Sequence, residues 1–163
     1  MPIRDSSQKF EIRPASEADA SLMAEIEGLV SSSGWPESRI REEIIQPVSR
    51  SWLALGEMPL GYLLMREVQH EWEIINLLVR SDCRKKGIGK ALMEVALAAI
   101  KSAGGECIFL EVRSQNVPAQ SLYKSLGFEQ CGKRKGYYLD PVDDALIMRL
   151  DLPSGTGIGE KPE

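Results

Sequence analysis

The stretch Glu73–Leu97, EIINLLVRSDCRKKGIGKALMEVAL, constrains this chain more than any other. Its opening run, Ile74–Val79, is almost unbroken in apolar residues and reads as a buried strand. After Arg84-Lys85-Lys86-Gly87-Ile88-Gly89, apolar residues recur at Ile88, Leu92, Val95, Ala96 and Ala99, the stripe of a helix. A strand that passes through a basic, Gly-containing turn into a helix N-terminus gathers unpaired backbone N–H groups, the positive end of the helix dipole and cationic side chains. Such a place suits a pyrophosphate.

Spacing narrows the kinds of phosphate loop. Gly89-Lys90 ends like a P-loop, yet Ala91 supplies no hydroxyl and Arg84 stands where the first Gly belongs. A dinucleotide fingerprint needs three glycines, and only Gly87 and Gly89 are present. What remains is R-x-x-G-x-G. This resembles the pyrophosphate loop of the GCN5-related N-acetyltransferases (GNAT), which holds acetyl-CoA. The plain rival is a solvated basic turn before an ordinary helix.

Length and composition suit one domain, 1–152, followed by a loose Gly- and Pro-rich tail, 153–163. The formal charge is 20 − 24 = −4, with a pI near 5.2, so no direct nucleic-acid binding is expected. The start has no apolar leader core, and no run reaches the length of a membrane span. A cytoplasmic protein with no membrane association, a monomer or weak dimer, is therefore expected. Cys83, Cys107 and Cys131 are odd in number and lack nearby histidines, which predicts neither disulfides nor a metal site. Cys83 sits beside Arg84, Lys85 and Lys86, but a cysteine nucleophile needs a base, and the single histidine, His70, falls in a polar turn.

In order, Phe10–Arg13 reads as an edge strand stopped by Pro14. Ser16 and Asp19 form a capping box for a helix to about Val30, with Ala20, Met23, Ala24, Ile26 and Leu29 or Val30 inward. Ser31–Gly34 breaks it, and Trp35-Pro36 starts a second helix with Ile40, Ile44 and Ile45 on its apolar side. Trp35 is either a wall of a substrate cleft or a cap on the core. Ser51–Leu55 and Leu60–Val68 form a hairpin, and Trp72–Val79 follows. Cys107–Val112 is a second buried strand, parallel to Ile74–Val79 through the central helix, which should end near Ala103-Gly104-Gly105. Asn116 caps a short helix that Gly127 ends, with Phe128 packing back. Phe128–Lys133 and Ala145–Leu150 are the last strands, separated by Arg134–Tyr138 and a polar turn.

The second motif runs from Leu110 to Phe128, LEVRSQNVPAQSLYKSLGF. Together with R-x-x-G-x-G it resembles the acetyltransferase pattern over Trp72–Leu150. LEVRSQN, LY-x-x-LGF, Tyr137-Tyr138 and Asp144–Met148 resemble the RimI branch, whose members acetylate protein N-termini, above all an N-terminal alanine of a ribosomal protein. That branch usually carries Asn before the two tyrosines, where this chain has Gly136.

The resemblance implies an α/β (α+β) fold, with a mixed, mostly antiparallel sheet flanked by helices and two parallel central strands that splay into a V. It assigns Leu77, Leu78 and Val79 to main-chain contacts with the pantetheine and acetyl group. Arg84, Lys85, Lys86, Gly87, Ile88, Gly89 and Lys90 take the pyrophosphate, and Asn116 the cofactor arm. Glu111 matches the general base and Tyr123 the general acid, Tyr123 also bordering the cofactor. Trp35, Tyr137 and Tyr138 would contact the peptide acceptor. The chemistry agrees: an α-amine, with a reference pKa of about 7.7–8.0, must be neutral to attack a thioester, and a carboxylate can take its proton.

Each assignment has a rival in the residues themselves. Glu111 and Arg113 share a strand face and could simply pair. Tyr123 lies on the stripe Ala119, Leu122, Tyr123 and Leu126 and could be a core aromatic. Tyr137 and Tyr138 could pack as a lid. At the level of function, the alternatives are acetylation of a small-molecule amine or lysine side chain, and a non-catalytic acetyl-CoA-binding module.

Overall fold

The computed structural model describes residues 9–30 and 34–153. Serines 31–33 and, apart from Pro153, the expected tail lie outside these residues. Among the described residues, seven strands and four α-helices follow one another as β1 (Glu11–Pro14), α1 (Ala20–Val30), α2 (Glu37–Ile44), β2 (Ser49–Leu55), β3 (Pro59–Val68), β4 (Glu71–Val79), α3 (Ile88–Ser102), β5 (Cys107–Arg113), α4 (Val117–Ser125), β6 (Glu129–Leu139) and β7 (Val142–Asp151). The strand order is β1-β2-β3-β4-β5-β7-β6. β4 and β5 are parallel, whereas the β1/β2, β2/β3, β5/β7 and β6/β7 ladders are antiparallel. The mixed sheet expected from the sequence is thus observed. The parallel ladder is short, running from Glu71↔Cys107 to Glu73↔Phe109.

The residues pack as two units. One comprises the chain up to Arg66 with Ile75–Ala98; the other comprises Glu67–Ile74 and the chain from Ala99. In the first unit, Ala20, Met23, Ile26 and Ile40 of the two N-terminal helices bury their side chains with Leu53, Tyr62 and Leu64 of β2 and β3. Helix α1 is launched as its sequence predicts. The Asp19 carboxylate accepts from the Ser16 backbone N–H at 2.9 Å and is gripped at both oxygens by Arg13, at 2.8 and 2.9 Å. The Arg13 guanidinium, with the Ser16 amide, holds this carboxyl down at about 2.

In the second unit, Trp72, Ile108, Leu110, Val112, Phe128, Ala145 and Met148 are buried. Gly104, at φ +81°, ends α3, and the Gly105 N–H closes on the Ile100 carbonyl at 2.9 Å. Gly127, at φ +100°, ends α4, and Phe128 N–H returns to the Tyr123 carbonyl at 3.0 Å.

Several local expectations need correction. Ile45 is 53% exposed, so Ile44 carries the inward end of the α2 stripe; of the two residues offered for the end of α1, Val30 packs inward and Leu29 is exposed. Pro36 is the N-cap of α2 rather than a residue of its first turn. Arg134–Tyr138 does not separate two strands: it lies within β6, where the register with β7 shifts between Arg134 and Tyr138. The turn that does separate β6 from β7 is Asp140-Pro141. His70 is placed as expected, in the two-residue β3–β4 turn with Gln69. Both have positive φ, 53° and 69°, the backbone that a tight hairpin with right-twisted strands demands.

Candidate active site

The phosphate-loop half belongs to the first unit. β4 delivers Leu77, Leu78 and Val79, all half-buried, to the start of the loop. Lys85 and Gly87 adopt left-handed backbone, at φ +64° and +82°. The Ala91 N–H makes the first helical bond of α3, to the Gly87 carbonyl at 3.0 Å, so the N–H groups of Ile88, Gly89 and Lys90 precede it. A left-handed residue at Lys85 costs of order 1 kcal/mol, and backbone of this kind collects where a ligand is held. Ile88 is buried and anchors the turn, while the side chains of Arg84, Lys85, Lys86 and Lys90 are exposed. Lys90 stands 4.0 Å from Glu94. Arg84 donates from Nε to the Val79 carbonyl at 3.3 Å, tying the loop to the end of β4. Cys83 is buried, with its Sγ bonded to Asp82 Oδ1 at 3.5 Å, and is no thiol presented to a substrate.

Gly61 on β3 supports this half and was not singled out in the sequence. A Cβ there would stand 2.7 Å from the Leu78 carbonyl oxygen and 3.3 Å from Val79 Cα. Only a residue without a side chain lets β3 lie this close to the end of β4. Glu27, on α1, was missed too. It is buried at 4% exposure and accepts from Tyr62 Oη, from Asn76 Nδ2 at 2.7 Å and from the Trp35 N–H at 3.3 Å. Its one signal in the sequence is an acidic residue four positions after Met23, on the apolar stripe. Trp35 packs on the buried cluster while Arg39 covers its ring, the guanidinium carbon 3.6 Å from the centroid.

The second unit carries Glu111, Asn116, Tyr123, Tyr137 and Tyr138. Glu111, half-buried on β5, pairs with Arg134 on β6, Nε to Oε1 3.3 Å. It does not pair with Arg113, its rival partner from the sequence. Arg113 donates to the Pro141 and Asp140 carbonyls and stacks over Tyr138, 4.2 Å from the ring centroid. The neighbouring Glu111 carboxylate raises the Tyr137 phenol above its ordinary value, and burial raises that of Tyr138. The Tyr137 and Tyr138 rings meet edge to face at 5.1 Å.

Tyr123 is 7% exposed and lies 5.7 Å from Phe128, ring centroid to centroid. Burial pushes its hydroxyl up to about 12, with the Tyr138 phenol adding to the rise, so it is a protonated phenol throughout the physiological range. Asn116 Oδ1 caps α4 by accepting from the Ala119 N–H at 3.2 Å. The turn that presents Asn116 is held by two buried residues that sequence reasoning passed over. Asp143 on β7 accepts from the Ser114 hydroxyl and from the Gln115 N–H, and Gln120 donates to the carbonyls of Arg113 and Ser114.

Gly136 has φ +64°, and its N–H donates to Asp144 Oδ1 at 2.7 Å while Lys133 Nζ stands 3.2 Å from Oδ2. Left-handed backbone of this kind is most accessible to Gly and, among side-chain-bearing residues, to Asn. The glycine found where an asparagine was expected therefore suits the same backbone shape.

Residues 20–128 match the model of the acetyltransferase (GNAT) family. N-alpha-acetyltransferase RimI of Mycobacterium tuberculosis is 33% identical over 141 residues, which are 82% of this chain and 87% of that protein. The ribosomal protein bS18-alanine N-acetyltransferase of Escherichia coli K12 is 34% identical over 94 residues, 56% of this chain and 64% of that protein. Among solved structures, the ribosomal-protein-S18-alanine N-acetyltransferase from Escherichia coli superposes with a TM-score of 0.86 at 25% identity, covering 95% of this chain and 99% of that one.

Proposed function

The chain belongs to the acetyltransferase (GNAT) family, and from that membership we propose that it transfers the acetyl group of acetyl-CoA to the N-terminal α-amine of a protein, with a ribosomal protein beginning in alanine as the acceptor. One observation supports this reading above the others. Glu111 and Tyr137, assigned separately as base and as peptide contact, act on one another, the carboxylate raising the phenol, so an amine brought to the tyrosine arrives beside a carboxylate.

The loop fits a pyrophosphate on its own geometry: left-handed Lys85 and Gly87 turn the chain, and the N–H groups of Ile88, Gly89 and Lys90 are left without helical partners. Leu77, Leu78 and Val79 offer main-chain groups to the pantetheine, and Asn116, whose Oδ1 is committed to its cap, offers its amide Nδ2. Bound acetyl-CoA supplies the acetyl group as a thioester. Glu111 takes the proton of the acceptor amine, directly or through one water, as the N–C bond forms. Tyr123 gives its phenolic proton to the sulfur as the C–S bond breaks, and its raised pKa keeps that proton in place until then. Trp35, Tyr137 and Tyr138 border the acceptor. Residues 1–152 act as one catalytic domain in the cytosol. Among the described residues no helix is long and apolar enough to cross a membrane.

The test is a peptide panel with acetyl-CoA. An alanine-starting peptide should be acetylated at its α-amine, located by mass spectrometry. Efficient acetylation of an N-blocked, lysine-containing peptide or a small polyamine, with the alanine peptide untouched, would overturn the proposal in favour of a side-chain or small-amine acceptor.

A further inference from the structure

Glu27 is a buried carboxylate whose hydrogen-bond partners, Tyr62 Oη, Asn76 Nδ2 and the Trp35 N–H, are all neutral. Burying a charge on neutral donors is costly compared with an apolar side chain, and a satisfied polar cluster of this kind fixes one conformation in return. Here it joins three segments: the last turn of α1, the Gly34-Trp35 approach to α2, and β4 at Asn76, the residue before Leu77. Asn76 Nδ2 also lies 2.9 Å from Tyr62 Oη, which closes the cluster. Gly34 is seated directly on the carboxylate, where a Cβ would stand 2.6 Å from Glu27 Oε2 and 3.1 Å from both Glu27 Cβ and the Glu27 carbonyl oxygen. The Trp35 main chain is thus pinned from below by Glu27, while Arg39 covers the indole ring.

We infer that Glu27 is a positioning residue for the acceptor, holding the Trp35 main chain and Asn76 so that the wall receiving the first residues of the peptide keeps one shape. This rests on the reading of Trp35 as an acceptor wall. The carboxylate does not itself reach the reacting atoms. A glutamine cannot accept on both sides, because its Nε2 would face either the Trp35 N–H or the Asn76 amide and Tyr62 hydroxyl. Glu27→Gln therefore frees one side of the cluster while keeping the volume.

The experiment measures kcat and KM for an alanine-starting peptide and for acetyl-CoA in Glu27→Gln, Glu27→Ala, Gly34→Ala, Trp35→Ala and the double variant Glu27→Ala/Gly34→Ala. Hydrogen exchange at the segment containing Trp35 is followed alongside. Glu27→Gln should raise the peptide KM about tenfold, leave the acetyl-CoA KM within about twofold, and speed exchange at Trp35. Gly34→Ala should do the same by displacing the carboxylate. Compared with Glu27→Ala alone, the added methyl of the double variant should have a smaller effect than in Gly34→Ala, since the 2.6 Å contact with Oε2 is gone and only the 3.1 Å contacts with Cβ and the carbonyl oxygen of residue 27 remain, a non-additivity that a general loss of stability would not give. Should Glu27→Gln not fold, Gly34→Ala and the double variant decide alone. Unchanged peptide KM in both Glu27→Gln and Gly34→Ala, or an equal rise in both KM values, would overturn the inference. If Trp35→Ala raises the peptide KM while those two do not, only the role of Glu27 fails. If Trp35→Ala leaves the peptide KM unchanged, the acceptor-wall reading fails with it.

Discussion

Glu111 on β5 and Arg134 on the edge strand β6 form an ion pair, 3.3 Å from Oε1 to Nε, on a carboxylate whose charge also raises the Tyr137 phenol. The residue assigned as base is therefore paired with the same hairpin arm that carries the expected peptide contacts Tyr137 and Tyr138. Arg134 itself is largely exposed, so the pair contributes little to stability and acts on where the carboxylate points.

Glu111→Gln should lower kcat about a hundredfold near neutral pH, a typical loss for a general base. The deficit should shrink as pH rises through the amine range of about 7.7–8.0, where more acceptor is already neutral. Arg134→Ala leaves the carboxylate in place and should cost less than about tenfold. A pH–rate series on both variants checks this, and a deficit that widens at alkaline pH would contradict the role of base.

Tyr123→Phe should lower kcat by at least about a hundredfold while acetyl-CoA binding, measured by calorimetry, stays nearly intact. A general acid works only while protonated, and this phenol is pushed up to about 12. Its ionisation should therefore cause no fall in kcat up to about pH 10, and a decline traced to this tyrosine between pH 8 and 10 would refute the assignment.

Acetyl-CoA affinity should depend on the backbone of the loop more than on any one lysine. Gly87 sits at φ +82°, so Gly87→Val should cost of order 1–2 kcal/mol in the loop and weaken binding severely. A bulky residue at Gly89, in the first turn of α3, should also weaken it by obstructing the phosphates. Lys86→Ala should have a milder effect that fades at high salt. Calorimetry at two ionic strengths separates the cases, and unchanged affinity in the glycine variants would contradict phosphate binding here.

Gly61→Ala forces a Cβ to within 2.7 Å of the Leu78 carbonyl oxygen, so β4 must shift. The expected cost is about 1–3 kcal/mol of stability, together with a raised acetyl-CoA KM. Thermal unfolding and steady-state kinetics on the same sample test both parts.

Gly136→Asn should leave stability within about 1 kcal/mol and preserve activity, because φ +64° suits Asn and a Cβ there meets nothing within 4 Å. Gly136→Val should be clearly worse, since a β-branched residue resists this backbone and the bond to Asp144 would be strained. Equal melting temperatures for the two variants would contradict the backbone argument.

Much of the architecture was written in local chemistry. The Ser16–Asp19 capping box, the Asn116 cap, the Gly104 and Gly127 helix ends and the Gln69-His70 turn each work within a few residues, so the sequence alone located them. The apolar run of β4 and the helical stripe after Gly87 likewise marked the phosphate loop before any fold was known. The partners of the candidate site could not be read in this way, because they come from distant strands. Glu111 meets Arg134 only through the β5-β7-β6 order, which defeats the local pairing with Arg113. Tyr123 gains its high pKa from burial, and Glu27 its partners from residues 8, 35 and 49 positions away. Periodicity and spacing determine which way a side chain faces; which charge or amide it meets there is decided by long-range packing, where strand order and close approaches such as Gly61 to Leu78 are set.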